Sequence, residues 1–258
     1  MSDFQALIES NRRLAEVVEN KVSEIDKKVN QTANEIAQVI TSNNVVVYYV
    51  DGVAGSDSNS GSRNSPFKTL IRALNLCPTG SKARIYLQRS QRYTIDRVLN
   101  IYAAFVEITP ISYNTDISRP YHYDETTPIV AVEAQINVYG SITFGSYRSS
   151  LIVETNERTP WEGFQFWASS TVTIARSRLI VNLPDVNKPI FGSEYNYLSP
   201  VKVALREADI VKQKGFVARS GCIFSVDGAT GFDYTEDVIR NATKYNTISN
   251  APFRPEVA

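Results

Sequence analysis

Ile136-Asn-Val-Tyr139-Gly140-Ser141-Ile-Thr-Phe144 sets two alternating apolar runs end to end with only a Gly-Ser step between them. A hairpin would need a reversing dipeptide such as Asn-Gly or Asp-Gly at that step. Without one, the second run goes on past a corner instead of doubling back. Runs of the same kind precede it: Ala83-Arg-Ile-Tyr-Leu87, Val98-Leu-Asn-Ile-Tyr102, Phe105-Val-Glu-Ile108 and Ile129-Val-Ala-Val132. Others follow: Leu151-Ile-Val153, Val172-Thr-Ile174, Leu179-Ile-Val181 and Val201-Lys-Val-Ala-Leu205. All are short, mostly alternating, and punctuated by Gly, Pro, Asn, Ser or charge, as strands are. Strands that do not reverse predict stacked coils. At ~20 or more residues per coil, the body over 81–230 supplies roughly five to seven. A two-sheet sandwich remains the alternative.

Outward from the body, residues 1–42 contain neither Gly nor Pro and stop at Thr41-Ser-Asn-Asn44. A four-three spacing places Ile8, Ala15, Val22, Val29 and Ile36 at a positions. The d positions are then Phe4, Asn11, Val18, Ile25, Thr32 and Val39. All but Asn11 and Thr32 are apolar over about five heptads, which predicts a coiled-coil stem. Ile and Val at both a and d favour three strands over two. Asn11 is a core polar residue of the kind that fixes register, and Lys21 with Asp26 can pair between chains. A helix of this length runs ~60 Å, longer than a 200-residue domain is wide, so its stripe needs copies of itself for cover. The alternative is one long amphipathic helix packed on its own domain.

Between stem and body lies Val45-Val-Val-Tyr-Tyr-Val50, an apolar, β-branched and aromatic run that predicts a strand. After it come a Gly/Ser/Asp loop and a helix expected to start at Ser65-Pro66, N-cap then proline. The apolar face of that helix is Phe67, Leu70, Ile71 and Leu74, suited to cover the open end of a stack, and Cys77-Pro-Thr-Gly80 ends it. Opening strand, loop and capping helix occupy 45–80. Residues 231–258 form a tail whose end, Ala251-Pro-Phe-Arg-Pro-Glu-Val-Ala258, is too rich in proline for a regular element.

The 258 residues carry 27 basic and 27 acidic side chains. That balance argues against a nucleic-acid partner, which needs a basic surplus. No run approaches the ~20 apolar residues of a membrane span, so no membrane insertion is expected. Cys77 and Cys222 are far apart and outside any CxxC pattern, which excludes a thiolate metal site. His122 is the single histidine. In Arg119-Pro-Tyr-His-Tyr-Asp124 it has no partner set for catalysis, and a structural role is expected, with Tyr121, His122 and Tyr123 also able to join a binding surface. Asp51 with Asp57-Ser-Asn-Ser-Gly61 has a calcium-loop flavour, but position 68 is Lys68 where a distal Glu belongs; an Asx-type turn network is expected instead. No metal and no cofactor is predicted. Met1-Ser-Asp-Phe4 lacks the basic-then-apolar layout of a secretion signal, which predicts synthesis in the cytoplasm.

Tyr48-Tyr-Val-Asp-Gly52, Gly55-Ser-Asp-Ser-Asn-Ser-Gly61, Ser65-Pro-Phe-Lys-Thr-Leu70 and Ala73-Leu74 together resemble the opening of right-handed parallel β-helix (pectate-lyase-like) domains. Such openings are common in bacteriophage tail fibres and tailspikes. The motif spans 48–74, and the strand rhythm carries the likeness to about residue 230. The resemblance implies a mainly β protein, a right-handed parallel β-helix (solenoid) preceded by an N-terminal α-helical coiled coil, homotrimeric. It implies a virion tail component made in the host cytoplasm: a short tail fibre, tailspike or fibre adaptor acting in virion assembly and host attachment. Its partners would be copies of itself, other tail or fibre proteins and, as an open option, a bacterial surface glycan. A cellular β-solenoid adhesin is a further alternative, against which the missing secretion signal counts.

Tailspikes of this kind often cut polysaccharide, and glycoside hydrolysis needs two carboxyl groups, ~5 Å or ~6.5–9.5 Å apart. Glu133 with Glu154 and Glu162 with Asp185 are spaced by one coil in sequence. Glu157, Glu162 and Asp185 are the catalytic candidates for a hydrolase or lyase, although solvated surface carboxylates are the simpler expectation. The chain is short for a processive depolymerase, and no catalysis is expected. Glu154 to Trp167 is the most distinctive segment of the body: Trp161, Phe164, Phe166 and Trp167 lie beside Arg158. Rings stack on sugars and are also enriched between subunits. Trp161, Phe164, Trp167 and Arg158 are therefore candidate glycan or subunit contacts, with core packing the competing expectation.

Overall fold

The computed structural model describes residues 2–43, 45–111, 123–146, 149–160, 162–167, 170–193 and 201–255. It divides into two compact units, 1–44 and 45–258. The first is a single helix, α1 (Ser2–Asn43). No break interrupts it, as expected of a segment without Gly or Pro. Its side chains pair along the helix, Arg12 Nη2 with Glu9 at 3.1 Å and Lys21 Nζ with Glu24 at 2.7 Å. The stripe of Ile8, Val18, Val22, Ile25 and Val29 is more than half exposed in the single chain, and Ala15 is exposed with it. The side chains of Ile36 and Val39 lie outside the described residues.

The second unit is mainly β. Its elements in chain order are β1 (Val45–Val50), α2 (Leu70–Asn75), β2 (Lys82–Leu87), β3 (Arg92–Ile95), β4 (Leu99–Ile101), β5 (Phe105–Pro110) and β6 (Ile129–Val132). Then come β7 (Ile136–Val138), β8 (Ser141–Phe144), β9 (Ile152–Thr155), β10 (Phe164–Phe166), β11 (Thr171–Ala175), β12 (Arg178–Asn182) and β13 (Phe191–Ser193). The last are β14 (Lys202–Arg206), β15 (Asp209–Lys214), β16 (Ala218–Arg219), β17 (Ile223–Asp227), α3 (Thr235–Val238), β18 (Ile239–Arg240) and β19 (Ile248–Ser249).

Every ladder between these strands is parallel, and from β2 to β15 each sheet takes every third strand. The first sheet runs β1-β2-β5-β8-β11-β14-β17-β19, the second β3-β6-β9-β12-β15 and the third β4-β7-β10-β13. Each turn of the chain thus lays one strand on each sheet before stacking on the turn before. Six strands of the first sheet fall between Lys82 and Asp227. The Tyr139-Gly140-Ser141 step is a corner: β7 belongs to the third sheet and β8 to the first. Glycine is required there, because a Cβ on Gly140 would lie 2.2 Å from the Ala103 carbonyl of the previous turn.

Inward side chains fall in register on successive turns. Ile85, Ile108, Phe144, Ile174, Leu205 and Val226 form one ladder of the first sheet. Leu99, Ile136, Phe164 and Phe191 form one of the third. All but Val226, which is partly buried and packs against it, belong to one continuous apolar core. Burial of each such side chain contributes roughly 1.5–3 kcal/mol, offset by the backbone entropy of ordering the turn.

At the N-terminal end, α2 closes the stack, packing on β1, β3 and β4 with Leu70, Ile71, Ala73 and Leu74 buried. Its start differs from the expectation. Ser65-Pro66-Phe67 is extended, because Phe67 pairs with β1: its N–H donates to Tyr49 at 2.9 Å and its carbonyl accepts from Asp51 at 2.8 Å. The helix therefore begins at Leu70 with Thr69 as N-cap, its hydroxyl accepting Arg72 N–H. Asp57 fixes that cap by accepting from Lys68 N–H, Thr69 N–H and the Thr69 hydroxyl. The Asp/Ser loop is thus the turn network expected of it. At the other end, residues 231–258, expected as a tail, hold α3, β18 and β19, and β19 pairs in parallel with β17. Parallel pairing therefore continues past residue 230.

Candidate binding face

The outer surfaces of the three sheets differ in charge. On the first, Arg84 and Glu107 are register partners joined at 2.7 Å (Nε to Oε2). On the second, Arg178 and Asp209 are register partners, also at 2.7 Å, and Arg92 pairs with Glu154. Opposite charges facing across a ladder support the stack modestly. On the third, β4, β7 and β10 carry no such pair, and the Glu162–Arg219 pair lies over Gly192 of β13. The outward residues of its strands are Asn100, Asn137, Gln165 and Gly192.

The uncharged residues of the third sheet are organised. Asn137 donates Nδ2–H to Asn100 Oδ1 at 2.8 Å and accepts at Oδ1 from Gln135 Nε2 at 3.0 Å. Gln135 also donates to Gln165. Beside this amide column runs a column of rings. Tyr102 and Tyr139 stack with centroids 4.6 Å apart and planes at 25°, Tyr139 and Trp167 at 5.9 Å and 10°. Trp167 Nε1–H points to Asn137 Oδ1 at 3.4 Å, linking the columns. The rings are 48%, 37% and 36% exposed. Such pairs contribute about 0.5–1.5 kcal/mol each beyond their burial.

A repeat in the sequence builds this face. Leu99-Asn-Ile-Tyr102, Ile136-Asn-Val-Tyr139 and Phe164-Gln-Phe-Trp167 share one pattern: apolar, amide, apolar, aromatic. The two apolar positions point inward and are buried, so amide and ring point outward. The expectation for this segment singled out Trp167 but none of Tyr102, Tyr139, Asn100 or Asn137. Comparison of the three tetrapeptides was the signal that would have found them.

The other candidates are placed as follows. Phe164 is fully buried, its ring 5.5 Å from Phe144 and 5.4 Å from Phe191, which is the core packing weighed for it. Phe166 is buried with it. Arg158 is largely exposed on a turn and reaches Glu133 at 3.3 Å. Trp161, Tyr121 and His122 lie outside the described residues.

Glu157 is exposed on the Asn156–Thr159 turn. Asp185 accepts the Asn187 N–H at 2.8 Å in the corresponding connection one turn later. Glu162, with left-handed backbone (φ 57°), lays its carboxylate over Gly192 and pairs with Arg219 at 3.6 Å. Glu133 accepts from Asn156 and Arg158, and Glu154 from Arg92. The arrangement gives most of these carboxylates a partner that supports the stack. Among the described residues no cluster of three or more His, Cys, Asp or Glu side chains is placed to hold a metal ion. No described helix is long and apolar enough to cross a membrane. Burial pushes the thiols of Cys77 and Cys222 up to about 12 each.

Searches of family models, of curated proteins and of solved structures return no match to this chain.

Proposed function

We propose that this chain is a homotrimeric fibre protein, with a coiled-coil stem and a right-handed parallel β-helix body, that serves as a structural and adhesive part of a phage tail. The observation that carries the assembly is the stripe on α1. Five heptads of mostly apolar a and d residues, exposed where described, need cover that copies of the same helix supply. The body reading is supported by three parallel sheets taking strands in strict rotation. The right hand follows from the general preference of parallel crossover connections. The tail assignment rests on the resemblance of residues 48–74 to β-helix openings of tail fibres and tailspikes, joined to a stem of this kind.

Within that role the body acts as a rigid, edge-protected rod. A polysaccharide-cleaving tailspike is the second reading, favoured by the placement of Glu157 and Asp185 on equivalent corners of successive turns. Immunogold labelling, with antibody against the whole chain, of particles released from producing cells tests the tail assignment. Label on particle tails is the expected result. Label confined to the cell envelope or the soluble fraction contradicts it.

A further inference from the structure

We propose that the third sheet is the face through which the bodies of neighbouring copies meet, centred on Asn137, Tyr139 and Trp167. The inference rests on the trimeric reading of α1 and adds to it the surface used by the second unit.

A surface turned toward a symmetry axis meets its own copies. A charged side chain on the axis itself then meets its like, and like charges juxtaposed across an interface are destabilising. The part of such a face that lies on the axis therefore favours outward residues without charge. Arg84, Glu107 and Lys202 stand on the strands of the first sheet, and Arg92, Glu154, Arg178 and Asp209 on those of the second. Strands β4, β7, β10 and β13 of the third sheet contain no Lys, Arg, Asp or Glu, and the first charges in the rows stacked beyond β13 are Arg219 on β16 and Arg240 on β18. Among the described residues, the Glu162 carboxylate lies over Gly192 and pairs with Arg219.

Composition points the same way, since interface cores gain Tyr and Trp and lose charge. Ring geometry separates a second copy from a glycan. A sugar binds by laying its C–H face on a ring face, but Tyr139 has one face against Tyr102 and the other against Trp167. The column offers ring edges, a phenol hydroxyl and amide groups, which suit close protein packing. Tethering each body to an associated helix supplies the effective concentration that lets a modest neutral face engage.

The test is site-directed crosslinking in the full chain. Asn137→Cys places a thiol at the centre of the face, and Thr143→Cys places one outward on the first sheet as control. Cys77 and Cys222 stay in place; half-buried and buried, they form a slow background. A short bismaleimide should convert Asn137→Cys largely to linked dimer on a denaturing gel and leave Thr143→Cys unlinked. Gln165→Cys repeats the test one row away if Asn137→Cys misfolds. A protein that is trimeric by light scattering but gives no linked Asn137→Cys or Gln165→Cys, while both thiols react rapidly with a monofunctional maleimide, overturns the proposal. That result leaves the face open to a glycan or another protein. A monomer by light scattering overturns the trimeric reading and this proposal together.

Discussion

Arg176 and Glu207 occupy the same corner of successive turns, both with left-handed backbone (φ 47° and 48°), and their side chains meet at 2.7 Å (Nε to Oε2). Gly228 continues the column at φ 64°. Left-handed backbone costs a non-glycine residue roughly 1–2 kcal/mol, so the corner stores strain that the ion pair and the flanking ladders offset. Glu207→Val, which adds β-branching at positive φ and removes the pair, should cost about 1–2 kcal/mol more. Glu207→Gly should stay within about 1 kcal/mol of the parent, because relief of strain opposes the lost pair and the freer unfolded chain. Chemical denaturation of both variants checks this; equal losses would contradict a backbone origin.

Phe164 and Trp167 lie three residues apart and are assigned opposite environments. Phe164→Ala should cost about 3–5 kcal/mol, the range for an emptied aromatic core site. Trp167→Ala should cost the single chain about 1 kcal/mol, the scale of one ring stack. Urea midpoints in the same buffer compare them. A Trp167 effect as large as that of Phe164 in a monomeric Val22→Asp background would place both rings in the core.

If the chain is a binding and structural component, incubating it with bacterial surface polysaccharide should release no reducing ends above a buffer control. Should ends appear, Glu157→Gln, Glu162→Gln and Asp185→Asn identify the carboxylates responsible. Loss of activity in those variants with unchanged denaturation midpoints would establish the enzymatic reading.

Acid should weaken the fold. The Thr126 hydroxyl, ahead of the Thr126 N–H and Arg89, holds the Asp124 carboxyl below its ordinary value against an opposing burial effect. At Asp51 and Asp237 burial opposes the shift as the largest single influence, yet hydrogen bonds from Ala54 and Gln91 at Asp51, and from Arg254 at Asp237, together outweigh it. A carboxyl depressed in the folded state contributes stability that is fully present above the unfolded-state value, near ~4. That contribution is lost as pH falls through the lower folded values. Midpoints should therefore be level from neutrality to about pH 5 and decline below about pH 4. Asp124→Asn should flatten part of the decline; an unaltered slope would show that Asp124 does not contribute.

Much of the body was legible because a strand with one face inward writes its alternation into the sequence. The runs at 83–87, 105–108 and 141–144 all fall within strands. β10 is not legible in the same way, because Phe164-Gln-Phe166 reads as part of an aromatic cluster and a strand this short gives periodicity little to work on. The helix at Ser65-Pro66 was misplaced because capping chemistry is local, while the pairing of Phe67 with β1 is not. Corners at Arg176 and Glu207 could not be foreseen, since neither residue type signals positive φ. The column of amides and rings is written across turns, in Leu99–Tyr102, Ile136–Tyr139 and Phe164–Trp167, and no single stretch displays it.

On α1, Val22→Asp or Ile25→Asp would put three carboxylates into the seam of a trimer and should yield monomer or insoluble protein. Asn11→Ile should raise stability while loosening register.

Light scattering on the intact chain tests the central claim most directly. The mass should be close to three times 28.8 kDa, and Val22→Asp should abolish that species. A parent chain at 28.8 kDa, or a Val22→Asp variant that stays a soluble trimer of unchanged stability, would contradict the coiled-coil stem and the fibre assignment built on it.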